Sequence, residues 1–307
     1  MKLLAILLLA CMVPLPARAA QAPEPEQGDS PLLALARTAW EKRKPDDLPM
    51  PGNDDVRATE HEIAQARVPP DAQCARGLGA QRFAVLHLRL GHARLATGDS
   101  AGAATAFNRA LACRPRDAFI FGRLAEALFA GHRYDAARAA VEAGLALEPR
   151  SAELYRQAGT LDFVAGSWAA AAARFRYVAA GEPDRPQAEF AQLMFWLAQR
   201  RAGVPQPQFV ERIHDDEWPR PLARYLQGEL TEANLTQYMR SDFAEDDDEI
   251  PLGTSDRLCQ ALFYVGEAHW ARGDTARARD YLAAAINLQV FDLAEHQLAL
   301  AEIVKLR

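Results

Sequence analysis

Apolar residues recur along much of the chain at helical spacing, and the pattern itself repeats every 34 residues. Pro115, Pro149 and Pro183 mark this period, because each closes one stretch of small and bulky residues. The small residues fall where two helices of a pair must cross closely. No stretch of alternating apolar and polar residues predicts a competing strand. The predicted repeats are 84–117, 118–151, 152–185 and a partial fourth at 186–204.

This period and this order of small and bulky residues are similar to those of the tetratricopeptide repeat (TPR). In the first repeat the pattern shows as Leu90-Gly91, Gly98-Asp99, Ala103, Phe107 and Ala110-Leu111. A helix pair of this length cannot bury its apolar face alone, so successive pairs stack. The resemblance implies an all-α fold, a TPR helical-hairpin solenoid wound as a right-handed superhelix. The concave groove of such a superhelix holds other proteins.

The remaining segments depart from the repeat. Residues 20–83 combine a proline- and acid-rich tether with two predicted helices, which either pack on the first repeat or bridge two chains. Residues 205–258 form an irregular insertion with an acidic loop at 242–249. The last repeat and a C-terminal capping helix are predicted over 259–307, since terminal repeats need a cap.

The C-terminal half resembles a second, narrower family. Trp-Pro at 218–219, Tyr-Leu-Gln-Gly at 225–228, Phe-Tyr-Val-Gly at 263–266 and the helix at 295–302 are similar to the NlpI-type TPR lipoproteins. The resemblance covers about residues 187–303. It implies an adaptor in the bacterial cell envelope that holds a periplasmic protease or a peptidoglycan hydrolase in its groove. It brings no catalytic residue.

The N-terminus has the form of a secretory signal peptide over residues 1–19. A lysine precedes the apolar run 3–13, and Ala17-Arg18-Ala19 supplies the small residues before the cleavage site. We therefore expect a bacterial periplasmic protein. The alternative is lipidation of Cys11, which would make the chain an outer-membrane-anchored lipoprotein; we disfavour it, because only ten residues would precede the lipid.

The charge balance restricts the partners. Cleavage after Ala19 would leave 33 basic and 41 acidic residues, a net charge of about −8. Nucleic acid and anionic membrane surfaces are therefore not expected as partners, and membrane attachment is expected only if Cys11 is lipidated. A protein with a basic patch would be steered towards the chain. Oligomeric state cannot be inferred from the sequence.

The repeat phase also identifies side chains that should face the groove. They are mainly apolar groups with scattered polar ones, which favours an amphipathic helix or an extended apolar segment as the ligand. An equally good interpretation for several, above all Phe129 and Phe163, is packing between repeats. The candidate groove residues are Leu88, His92, Phe119, Glu126, Phe129, Arg156, Thr160 and Phe163.

Catalytic, cofactor and metal sites are not predicted. His61-Glu62 resembles part of a zinc-protease helix, but Gln65 stands where the second ligand must be. Among the cysteines, Cys74 and Cys113 form a possible disulfide that would tie the incoming segment to the first repeat, and burial as free thiols is an equally good alternative.

The sequence thus predicts a non-enzymatic scaffold for protein binding in the cell envelope, most simply an adaptor for a protease or a peptidoglycan hydrolase. The alternative is an assembly factor for a secretion, pilus or outer-membrane complex, which would use the same fold.

Overall fold

Helices make up all of the regular secondary structure that the structure describes. It is a computed structural model and describes residues 30–42, 53–65, 78–181, 186–209, 218–240 and 254–306. These ranges hold fourteen α-helices and no strand, and consecutive helices pack in pairs. The predicted all-α repeat solenoid is thereby confirmed. In chain order the helices are α1 (Pro31–Lys42), α2 (Asn53–Gln65), α3 (Leu78–Ala96), α4 (Ser100–Cys113), α5 (Ala118–Ala130), α6 (Tyr134–Leu147), α7 (Ala152–Val164), α8 (Trp168–Ala179), α9 (Pro186–Arg201), α10 (Arg220–Leu226), α11 (Glu232–Arg240), α12 (Thr254–Ala271), α13 (Thr275–Asn287) and α14 (Ala294–Ile303).

Four helix pairs follow the repeat: α3 with α4, α5 with α6, α7 with α8, and α12 with α13. Small residues let the two helices of each pair approach. A Cβ at Gly91 would lie under 3.0 Å from the ring of Phe107 on the partner helix. The second helix of each pair presents a fully buried alanine at one repeat position: Ala103, Ala137, Ala171 and Ala278.

The turns within the pairs follow from local chemistry. Gly98 ends α3 with a φ of 79°, a conformation that costs glycine little. Asp99 then caps α4, since its carboxylate accepts a hydrogen bond of 2.8 Å from the backbone N–H of Gly102. Gly273 and Asp274 do the same between α12 and α13, with a φ of 85° at the glycine. The two-residue Gly-Asp signal therefore sets the break in the first and last of the four pairs.

The N-terminal helices lie at opposite ends of the array. Helix α2 packs on α3 of the first repeat, whereas α1 packs on α11, α12 and α13. Glu232 on α11 holds α1 in place, accepting hydrogen bonds from the Ser30 hydroxyl and from the backbone N–H of Leu32 at 3.2 Å. The buried Tyr281 hydroxyl donates to the same carboxylate at 2.6 Å. Of the two predicted N-terminal helices, only α2 packs on the first repeat.

A buried arginine joins the repeats to the C-terminal helices. The Arg201 guanidinium lies over the rings of Trp168 and Trp270, with its carbon 4.6 Å and 3.6 Å from their centroids. Its nitrogens lie 3.5 Å from the carboxylate of Glu267 and 3.4 Å from that of Glu302, both fully buried. The last helix pair is thereby fixed against α8 and α9.

Of the four cysteines, the structure describes Cys113 and Cys259. Cys113 is disulfide-bonded, and its partner lies outside the described residues, as do Cys74 and Cys11. Pairing of Cys113 with Cys74 therefore stays a prediction. Cys259 is a free, buried thiol. The segments 1–19 and 242–249 also lie outside the described residues.

We predict that Gly91→Ala destabilises the chain by about 2 kcal/mol, because the added methyl group overlaps the Phe107 ring in a closely packed crossing. Gly122→Ala is the matched control. A Cβ there would meet its nearest atoms at 3.5 Å, so the better helix propensity of alanine should leave stability unchanged or raise it by up to about 1 kcal/mol. Chemical denaturation measures the free energy of unfolding of both variants. Equal changes in the two variants would contradict the close crossing at Gly91.

We predict that Glu267→Gln makes stability less dependent on pH. Burial, reinforced by the charge of Glu302, raises the pKa of Glu267 above the ordinary value of 4.5. The folded chain therefore binds this proton more tightly than the unfolded chain, and wild-type stability should fall as pH rises from about 5 to about 8. The glutamine side chain has no proton to release, so the variant should avoid this loss of stability, which is on the order of 1–2 kcal/mol at about pH 8.

Thermal unfolding of wild type, Glu267→Gln and the exposed control Glu142→Gln at both pH values provides the measurement. The control should keep the wild-type pH dependence. A variant of Glu267 that loses the same stability at both pH values would show that its carboxylate is needed in the ionised form.

Candidate protein-binding groove

Among the positions that the repeat phase predicts for the groove, the exposed side chains lie on the first two repeats. Val85 and Phe119, at the same position of successive repeats, are 48% and 55% exposed. Arg123 covers one side of the Phe119 ring, with its guanidinium carbon 5.2 Å from the ring centroid. Nearby positions carry the exposed His92, whose ring meets Phe107 edge to face at 5.5 Å, and the half-buried Leu88.

Four charged side chains form a closed network on α5 and α7. Arg123 binds Glu126 at 2.8 Å and Glu153 at 2.9 Å, and Arg156 binds the same two carboxylates at 3.1 Å and 2.6 Å. Gln157 adds three hydrogen bonds, since its amide nitrogen donates to Glu126, Glu153 and the backbone oxygen of Gly122. The network is neutral when both carboxylates are ionised, so it holds two repeats together rather than offering a free charge.

The two carboxylates of this network differ in acidity. Burial raises the pKa of Glu126, and Arg123 and Arg156 oppose only part of that effect. Burial also acts on Glu153, but the charge and hydrogen bonds of Arg156, with the charge of Arg123, outweigh it and lower its pKa. A proton taken up by the network therefore goes to Glu126, on the side of the groove.

Two of the candidate groove residues lie in the interior. Phe163 is fully buried and packs edge to face against Trp168, with ring centroids 5.0 Å apart. Thr160 is 6% exposed, and its hydroxyl donates to the backbone oxygen of Arg156 at 3.1 Å. Phe129 is half-buried and contacts both apolar cores of the chain, one around the first repeats and one around the C-terminal helices. The repeat phase gives the direction of these side chains but not what lies opposite them.

The deeper part of the groove is covered by the chain itself. The turn between α13 and α14 and the start of α14 lie across α3, α5 and α7, and the two walls border a partly open cavity of about 100 Å³. Sequence reasoning missed this covering wall. The available signal was Phe291, an aromatic residue at a repeat position that holds Arg116 and Arg150 in earlier repeats. The cavity is lined by Leu95, Ala125, Glu126, Phe129, Ala130, Arg156, Gln157, Thr160, Leu161, Phe291, Asp292, Ala294 and Gln297.

Chemically, the groove offers apolar contacts, aromatic faces and hydrogen-bonding groups. Among the described residues, no three histidine, cysteine, aspartate or glutamate side chains lie together as metal ligands. In the same part of the chain, no helix is both long and apolar enough to cross a bilayer.

A comparison of the chain with models of protein families found no family that matches it.

Proposed function

We propose that this chain is a non-enzymatic TPR scaffold that holds another protein in its concave groove. The observation that carries the proposal is the exposure of Val85 and Phe119 on that surface, 48% and 55%. Large apolar side chains that face water at matching positions of successive repeats are typical of a surface that becomes covered on binding. The network of Arg123, Glu126, Glu153 and Arg156 lies beside the Phe119 ring and joins α5 to α7.

We place this scaffold in the bacterial cell envelope, as an adaptor for a periplasmic protease or a peptidoglycan hydrolase. The signal-like residues 1–19 support export, and the resemblance of about residues 187–303 to the NlpI-type lipoproteins supports the adaptor role. Net negative charge favours a partner whose contacting surface is basic.

We predict that an envelope protease or cell-wall hydrolase is captured by the tagged full-length chain after crosslinking in its native envelope. Phe119→Ser should reduce that capture about tenfold, because a central aromatic contact contributes strongly to an interface. Val304→Ser is the matched control, since Val304 is 52% exposed but lies on the C-terminal turn. Mass spectrometry identifies the captured protein.

Equal capture by wild type and Phe119→Ser would contradict binding through the open groove. Capture of secretion, pilus or outer-membrane assembly components alone would replace the adaptor role with an assembly role.

We predict that the mature chain begins at Ala20, because cleavage follows the small residues Ala17 and Ala19. Mass spectrometry of the N-terminal peptide from the native envelope measures this. A lipid-modified Cys11 at the N-terminus would contradict it and would favour an outer-membrane-anchored lipoprotein.

A further inference from the structure

The first repeats have a charge opposite to that of the whole chain. From the start of α3 to the end of α5, residues 78–130, the sequence contains seven arginines and three acidic residues. Helices α3 and α4 contain no acidic residue at all. The complete chain has a net charge of −6. The first repeats are therefore a basic region of an acidic protein.

The three acidic side chains of this region do not neutralise all of its arginines. Each of them forms an ion pair within the region: Asp99 with Arg94, Asp117 with Arg114, and Glu126 with Arg123. Arg82 and Arg116 are exposed, and neither forms an ion pair with any residue that the structure describes. Two guanidinium groups on the first repeats are therefore available to a ligand.

These two arginines belong to a pattern that occurs twice, 34 residues apart. An arginine is followed after three residues by a large apolar residue, and after four more by a second arginine. The two sets are Arg82, Val85 and Arg89 on α3, and Arg116, Phe119 and Arg123 before and within α5. On a helix, such intervals bring side chains to one face. In both sets the apolar side chain is about half exposed, so it faces water between two positive charges.

The chain itself places carboxylates against this pattern. Glu153, at the apolar position of the third repeat, binds Arg123 of the preceding repeat at 2.9 Å. Glu62 of α2 binds Arg89 at 3.0 Å. The second arginine of each set thus takes a carboxylate from a neighbouring helix. The first arginine of each set has no such partner among the described residues.

The nearest charges decide which segment can lie on this surface. The net charge of the chain attracts basic proteins from a distance, but physiological salt screens charges beyond about 8 Å. At contact, a lysine or arginine of the ligand would meet the arginines of both sets. A nucleic acid would pair with them but brings no aliphatic side chain for Val85. A carboxylate next to an apolar side chain matches both parts of each set.

We infer that the two sets bind an acidic segment of the partner protein, whose carboxylates pair with Arg82 and Arg116 and whose apolar residues cover Val85 and Phe119. Equivalent side chains of successive repeats lie about 10 Å apart, the width of one helix. A polyproline II segment has three residues per turn and rises about 3.1 Å per residue, so every third side chain meets that spacing. The segment is therefore extended, with a carboxylate at every third residue.

This inference rests on the proposed groove-binding function and adds the chemistry of the bound segment. A partner that is basic as a whole and carries one acidic segment satisfies both the net charge of the chain and the local charge of the first repeats. The long-range attraction then brings the two proteins together, and the acidic segment determines where the partner binds.

Synthetic peptides test the inference with the purified full-length protein. The probe is a fluorescein-labelled peptide of four consecutive leucine-glutamate-proline units. Three matched peptides carry glutamine or lysine instead of glutamate, or serine instead of leucine. Fluorescence anisotropy at a salt concentration of about 0.05 M, where charges are screened little, measures the dissociation constants. We expect the probe to bind at least about tenfold more tightly than each matched peptide, because only the probe supplies both kinds of contact.

Charge reversal on the protein gives the second measurement. Arg82→Glu combined with Arg116→Glu should weaken binding of the probe at least about tenfold, whereas Arg82→Lys combined with Arg116→Lys should keep most of it. The matched control is Arg133→Glu combined with Arg176→Glu. It reverses the same number of charges at exposed arginines outside the two sets and should bind the probe as wild type does.

Equal loss of binding in the two charge-reversed proteins would overturn the inference, and so would equal affinity of wild type for the glutamate and lysine peptides. Tighter binding of a thymidine oligonucleotide than of the probe would show a phosphate-binding surface instead. Tighter binding of a peptide with the sequence of residues 241–251, which includes the acidic run, would replace the partner's segment with one from this chain or a second copy.

These measurements use purified protein and are independent of the envelope capture experiment. A failed capture with successful binding of the acidic probe would remove the adaptor role and leave the surface for acidic segments. Capture that depends on Phe119, without binding of the acidic probe, would remove only the inference about the segment.

Discussion

The burial of Arg201 is the interaction on which the arrangement of the solenoid depends. Its guanidinium lies between the rings of Trp168 and Trp270 and faces the carboxylates of Glu267 and Glu302. Burial raises the pKa of both carboxylates, so the guanidinium has to lie close to them and to the two ring faces at once, and the geometry allows little freedom. The residues come from α8, α9, α12 and α14, and the contact therefore sets the last helix pair at one fixed place against the middle of the array.

The contact of Arg201 with the C-terminal helices also determines the shape of the groove. With the last pair fixed, the turn between α13 and α14 comes to lie over the first repeats, and Lys305 after α14 donates to the backbone oxygen of Val164 at the end of α7 at 2.7 Å. The floor of the groove is held separately by Arg123, Arg156 and their two carboxylates. One wall of the cavity thus comes from repeats that are adjacent in sequence, and the other from residues more than a hundred positions away.

The difference in sequence separation explains what could be predicted. The crossing of Gly91 with Phe107 and the capping of α4 by Asp99 depend on residues less than a repeat apart, and the 34-residue period makes them visible. The contact of Arg201 with Glu302 spans 101 positions, and that of Ser30 with Glu232 spans 202. No period marks such pairs.

Sequence separation also explains which candidate groove residues are exposed and which are buried. Phe119 and His92 stay exposed because their described contacts, Arg123 and Phe107, are close in sequence and cover only part of each ring, whereas Phe163 is buried against Trp168. Position within a repeat fixes the side of the helix from which a side chain projects. It does not determine whether a distant part of the chain occupies that side, and for this reason Phe291 was not predicted.

The locations of α1 and α2 at opposite ends affect how the array unfolds. In an open solenoid each repeat contacts only its neighbours, so the terminal repeats can fray while the rest stays folded. Here the first repeat carries α2 on one side and touches Phe291, and the last pair carries α1. Fraying at either end would have to break contacts with the other, so the described chain should lose its structure as one cooperative unit instead of repeat by repeat.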